Sequence, residues 1–141
     1  MKKLLLKTTK KANTNAALLL LRAGAASMML THGIPKLLQF FSGEPIAFAS
    51  VFGMSMGLSL ALAVFAEVVC SVLVFLGLGT RLAATPLIIT MLTAAFYIHA
   101  DDPFSRKEMS LLYALIFIVL LITGGGKYSI DYIFSKKIKT A

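Results

Sequence analysis

The chain has little charge. Of its 141 residues only 14% are charged, against 58% hydrophobic, and its mean hydropathy is +0.86. A soluble domain of this size carries about a quarter charged residues, so this composition covers a water-facing surface poorly. A single cysteine, Cys70, excludes a disulfide within the chain and a self-contained CxxC redox pair. It lies in an apolar run and reads as a small buried hydrophobe. No run alternates apolar and polar residues over the length of a barrel strand, which excludes an outer-membrane-type barrel.

Basic residues are present, with a formal net charge of +8, but they crowd the ends. Lys2, Lys3, Lys7, Lys10 and Lys11 lie at one terminus, and Lys127, Lys136, Lys137 and Lys139 near the other. No basic stripe with interleaved aromatics appears, so nucleic acid is not an expected partner. The pattern is that of a multi-pass bacterial inner-membrane protein with Lys-rich cytoplasmic ends. The N-terminus is not read as a signal peptide, because Leu4–Leu6 is too short an apolar core and Arg22 interrupts the next run.

Four apolar segments predict helices at about 15–33, 58–78, 81–100 and 108–124, within one domain spanning 1–141. A span of ~30 Å of hydrocarbon needs ~20 residues. The second and third segments meet this alone; the first and fourth need flanking residues. The first segment is expected to extend to about Phe41 with a break near Gly33 and Pro35, and a tight hairpin is expected at Gly77, Gly79 and Thr80. The expected fold is all-α: an antiparallel four-helix transmembrane bundle. With Arg81 on the same side as both Lys-rich ends, and Lys36, Arg106 and Lys107 opposite, both termini are assigned to the cytoplasm. The connection Ser42–Gly57, apolar and aromatic between its glycines, is read as an interfacial cap on the outer side.

Polar residues inside the apolar runs are expensive and mark sites or pairs. At 1.5 Å of rise per residue, Arg22 sits roughly 10 Å in along its helix and Glu67 roughly 16 Å from the inner end of its own, so the two are expected to form an intramembrane ion pair. His32 and His99 compute to similar depths, roughly 25 and 27 Å. With Lys36, Asp101, Asp102 and Glu108 nearby in sequence, they predict a polar cluster at the outer boundary. His32, Lys36 and His99 are the candidate ligand-binding residues, bordering a pocket for a quinone-like molecule or a lipid headgroup. The competing reading makes the cluster interfacial anchors of helix ends. A metal or haem site draws no support, since no CxxCH, HxxxH or ExxH spacing occurs.

The marked residues resemble the DoxX family of small four-helix bacterial membrane proteins. The resemblance runs from about Leu20 to Phe134, through LLLRAG…THGIPKL, AEVVCSVLVFLGLGTRLAATPL, MLTAAFYIHADDPF and KEMSLLYALIFIVLLITGGGKYSIDYIF. It implies recurrent polar positions at Arg22, His32, Lys36, Glu67, Arg81, His99, Glu108 and Asp131. It also implies a cytoplasmic-membrane protein, some of whose relatives are membrane subunits of thiosulfate:quinone oxidoreductase and others parts of thiol-stress or superoxide-defence assemblies. The expectation is a quinone- or lipid-interacting membrane subunit of a redox system, with no intrinsic cofactor, quinone as the candidate ligand, and protein partners in a membrane complex. The alternative is a structural accessory subunit without a ligand of its own. A transporter is disfavoured, because the fourth segment has no ionisable residue between Glu108 and Lys127. No motif in the chain names a reaction.

Overall fold

The computed structural model describes residues 11–140, with side chains over 14–136. The calls on Lys2, Lys3, Lys7 and Lys10 therefore lie outside the described residues. Everything regular is helical: α1 Lys11–Phe41, α2 Met56–Leu76, α3 Thr80–Ile98, α4 Phe104–Thr123 and α5 Ile130–Thr140. Among the described residues α1, α2 and α3 are long and apolar enough to cross a membrane. α4 has the length, but its first turns carry Arg106, Lys107 and Glu108, and only the stretch from Met109 onward is free of charge.

Packing is that of a protein bathed in lipid. The shared core contains Ala25, Ala26 and Met29 of α1, Cys70 and Val74 of α2, Ala83, Ala84, Leu87 and Met91 of α3, and Ala114, Phe117 and Leu120 of α4. Small residues dominate at the closest approaches, where dispersion and close backbone packing replace the hydrophobic effect. Large apolar side chains point outward instead: Leu20, Leu82, Phe96 and Ile122 are all at least 65% exposed. In water such a surface would aggregate.

Two boundaries differ from expectation. α1 does not break at Gly33 and Pro35 but runs on to Phe41. Pro35 costs the helix one N–H bond and crowds the preceding turn, which α1 absorbs within a long helix packed on its neighbours. Gly33 is a contact point rather than a breaker. A Cβ there would lie 2.9 Å from the backbone carbonyl of Glu67 and 2.8 Å from Val68. The absence of a side chain lets α1 and α2 touch beside Glu67. The second difference is α5, where only a basic tail was expected. Its first turn, Ile130–Asp131, docks against the α2–α3 hairpin.

α2 and α3 each contain a π-helical stretch, Phe65–Cys70 and Ala94–Ile98. Such wide turns are rare and gather at functional sites, because one extra residue per turn re-aims the side chains around it. Glu67 lies inside the first.

Candidate functional site

The cavity lies between α2 and α3, and both π-helical stretches contribute to its wall. About 350 Å³ in volume, it is bordered by Ala63 and Glu67 of α2, by Thr90, Ala94, Ile98 and His99 along α3, and by Lys36 of α1. The segment from Phe48 to Met54 closes it from above. That roof is tied down at two points, beside its start and at its middle. Gln39 Nε2 donates to the Ala47 carbonyl at 3.0 Å, and the Val51 N–H donates to Ser59 Oγ at 3.1 Å. Phe52 adopts a left-handed φ of 50°, followed by Gly53 at 75°, turning the chain so that the Phe52 ring lies 4.7 Å from that of Tyr97 on α3. A non-glycine residue held in that region is strained, and strain of this kind collects at ligand clamps.

The polar end of the cavity is an ion pair. Lys36 Nζ donates to Glu67 Oε1 at 2.5 Å. Glu67 is 2% exposed, whereas the Lys36 side chain keeps 29% and passes 5.9 Å from the Phe48 ring. The second carboxylate oxygen, Glu67 Oε2, is buried without a partner, as is Ser71 Oγ one turn on. A buried acceptor left unmatched costs about 1–3 kcal/mol, so such atoms call for a donor.

The expected pairing of Arg22 with Glu67 is not what forms. Arg22, 1% exposed, turns toward the opposite end of the molecule, where Nη2 donates to the Tyr128 carbonyl at 2.7 Å. Its Nη1 occupies the space beside Gly77, where a Cβ would fall 1.7 Å away. Depth arithmetic placed Arg22 within reach of Glu67 but took no account of α5, whose approach brings a carbonyl and the Asp131 charge to the guanidinium. Glu67 in turn is reached by Lys36, whose flexible stem crosses to α2 one turn beyond the close contact at Gly33.

The expected trio of His32, Lys36 and His99 divides. Lys36 and His99 both line the cavity. His32 does not: it is exposed, with its ring edge-on to Tyr113 of α4 at 5.9 Å. Residues four apart on a helix share a face, but the histidine ring is short and stays against α4 where the lysine reaches across to α2. The wider polar cluster disperses as well. Asp102 Oδ2 meets His99 Nδ1 at 2.7 Å, while Asp101 and Glu108 are exposed. A carboxylate only accepts, so Nδ1 carries the hydrogen and Nε2 is the nitrogen left over. This hydrogen bond, with Arg106, His99 and Lys107 close by, holds the Asp102 carboxyl below the usual aspartate range.

Sequence reasoning placed Glu67 in a purely structural pair and so missed it as a cavity residue. The available signal was its isolation, the one acid among apolar neighbours.

The other polar positions named by the resemblance meet at the far end. Asp131 accepts from the Gly79 N–H at 2.7 Å, from the Thr80 N–H at 2.9 Å and from Thr80 Oγ1 at 2.9 Å. Its own N–H donates to the Gly77 carbonyl at 2.9 Å. Arg81 donates to the Ile122 carbonyl at 3.0 Å, and Asn15 Oδ1 accepts from the Lys127 N–H at 2.9 Å. These bonds clasp α1, the α2–α3 hairpin, the end of α4 and α5 together.

The DoxX family profile matches residues 17–100, which carry Arg22, Lys36, Glu67, the α2–α3 hairpin and His99. The chain belongs to the DoxX family. An uncharacterized protein of Haemophilus influenzae is 35% identical over 124 residues, 83% of this chain and 90% of the relative. An uncharacterized membrane protein of Mycobacterium tuberculosis is 38% identical over 87 residues, half of this chain and 52% of the relative. No solved structure matches. This DoxX chain is a membrane protein with several apolar helices, in which Lys36, Glu67 and His99 line the cavity and Arg81 and Asp131 lie in the clasp.

Proposed function

We infer that this DoxX-family chain is a membrane subunit of a redox system and holds a quinone- or lipid-like molecule in the cavity between α2 and α3. The observation that carries the reading is a largely apolar cavity with one buried ion pair at its polar end, Lys36–Glu67, set against two π-helical stretches. A small-molecule site combines apolar walls with a few convergent polar groups in this way. His99 adds an imidazole to the wall, with Nδ1 bonded to Asp102 and Nε2 left over. With one cysteine, the chain serves as one component of a redox assembly, the electron-carrying groups belonging to partner proteins.

The same reading gives the four long helices an antiparallel transmembrane arrangement in the bacterial inner membrane. The clasp and both termini face the cytoplasm and the cavity opens on the other side. The basic residues favour this orientation, with Arg81, Lys127 and Lys136 at the clasp end and Lys36, Arg106 and Lys107 at the cavity end.

Mass spectrometry of protein extracted with its native lipids tests the assignment. A quinone- or lipid-like molecule bound in fixed ratio to the wild type, and lost from a Lys36→Met/Glu67→Met double variant, is the expected result. A stable stoichiometric protein partner with no small molecule in either sample would favour a purely structural accessory subunit.

A further inference from the structure

The ion pair also says what chemistry the occupant must present. Glu67 lines the cavity with its side chain almost wholly buried, Oε1 engaged by Lys36 and Oε2 unpartnered. An ionised carboxylate can only accept hydrogen bonds, whereas the Lys36 ammonium has three hydrogens to donate. The pair therefore presents a carboxylate whose second oxygen lacks a donor, beside a cation that can still donate. Around it the lining is mostly apolar or aromatic, with Phe48 and Phe52 in the roof and Leu62, Ile89 and Ile98 on the walls. Ser59, Thr90, Thr93 and His99 are its other polar residues.

We propose that the cavity selects a ring-bearing ligand whose head carries a hydroxyl, which donates to Glu67 Oε2 and accepts from Lys36 Nζ. This rests on the reading of the cavity as a site for an amphipathic small molecule. It adds that the site favours a hydroxyl-bearing head over the same head without a donor. For a quinone-like occupant the form held is then the reduced, hydroxylated one. An oxidised ring has carbonyl acceptors alone and would supply Oε2 with no donor.

Size and surroundings agree with this class. About 350 Å³ is near the lower end of ligand pockets, enough for a single ring and the start of a chain. Leu62 and Ile89 line the cavity and are also exposed on the lipid-facing surface, at 48% and 58%. They give a tail an apolar way out between α2 and α3. The proposal concerns binding and involves no change in the ligand's bonds.

The test compares two probes that differ in one hydrogen-bond donor, 4-(trifluoromethyl)phenol and 4-(trifluoromethyl)anisole. Each is titrated against the full chain in nanodiscs, with protein-free nanodiscs as the blank and fluorine NMR as the readout. One hydrogen bond to a charged acceptor gives roughly ten- to a hundredfold tighter binding of the phenol. In a Lys36→Met/Glu67→Met variant with unchanged helicity, the two probes should bind alike. Equal affinity of the probes for the wild type would overturn the hydroxyl requirement and leave the cavity assignment standing. No saturable binding of either probe would overturn both. A phenol preference that persists in the double variant would remove Glu67 from the role.

Discussion

Asp131 caps a helix that begins 51 residues before it. Its Oδ2 accepts from both the N–H and the hydroxyl of Thr80, and its Oδ1 from the N–H of Gly79. α3 follows a tight glycine turn and has no capping side chain of its own. A helix start inside apolar surroundings cannot leave its N–H groups unmatched, and the acid arrives from α5. The Asp131 N–H returns a bond to the Gly77 carbonyl, so the contact is reciprocal.

Asp131→Ala therefore lowers stability by about 1–2 kcal/mol, the typical loss of a helix cap. Thr80→Val removes only the hydroxyl bond and costs about 1 kcal/mol. Thermal unfolding in a single detergent, followed by circular dichroism, measures both. Equal losses in the two variants would mean that the backbone caps contribute nothing.

Lys36 and Glu67 differ in burial, and their removal should differ accordingly. Lys36→Leu leaves a carboxylate buried without its counter-ion, a change that costs roughly 3–5 kcal/mol. Glu67→Leu leaves a lysine that is already 29% exposed and can extend its charge outward, so the loss is smaller. The double variant should recover much of the Lys36→Leu loss. Arg22→Leu should add independently to Glu67→Leu, within about 0.5 kcal/mol, because the two sit at separate sites. Denaturation midpoints of the wild type, these four variants and the Arg22→Leu/Glu67→Leu double variant decide this, and strong coupling between Arg22 and Glu67 would restore the pairing expected from sequence.

The glycines of α1 make a matched comparison. At Gly33 a Cβ meets the Glu67 backbone at 2.9 Å, whereas at Gly24 nothing lies within 4 Å. Gly33→Ala should destabilise by about 1–3 kcal/mol as the helices are forced apart. Gly24→Ala should be neutral or stabilising by up to about 1 kcal/mol, from helix propensity alone. Thermal scans of the two single variants suffice, and equal shifts would contradict the close approach.

The bond between Asp102 and His99 predicts acid sensitivity. The folded carboxyl titrates below its unfolded value, so its contribution is complete above about pH 3.9 and is lost as the pH falls through the folded pKa. Asp102→Asn should be less stable than the wild type near neutrality, and the gap should close as the pH falls through the folded pKa. Unfolding midpoints from pH 6 down to pH 2.5 provide the check. Parallel curves for the two proteins would show that the bond adds nothing in solution.

Much of this fold was legible in the chain because the membrane simplifies the code. Long apolar runs, the Gly77–Gly79 hairpin and the charge-poor middle follow from the cost of exposing polar groups to hydrocarbon. The Phe48–Met54 roof was legible in outline, since an apolar segment between glycines has to lie against something. What escaped was mostly side-chain reach. His32 and Lys36 share a helix face, yet a ring stops short where a lysine crosses to the next helix. Arg22 lay at a plausible depth for Glu67, but its actual partner is a carbonyl at Tyr128, |i−j| = 106 along the chain. The α5 contact left no local pattern, because its meaning lies in the unmatched N–H groups of a helix far upstream. The π-helical stretches were equally silent, since neither Phe65–Cys70 nor Ala94–Ile98 carries a residue pattern that marks a wide turn.

The central claim is that the Lys36–Glu67 cavity is a ligand site, and photolabelling tests it most directly. A ring-bearing photoreactive probe, 4-benzoylphenol, is irradiated with the full chain in nanodiscs and the adducts are mapped by peptide mass spectrometry. The account predicts saturable labelling confined to Phe48–Met54 and to the stretch from Ile89 to His99, suppressed by excess unlabelled 4-(trifluoromethyl)phenol. Labels spread without saturation over the outward-facing Leu20, Leu82 and Ile122, and sparing the roof, would contradict it.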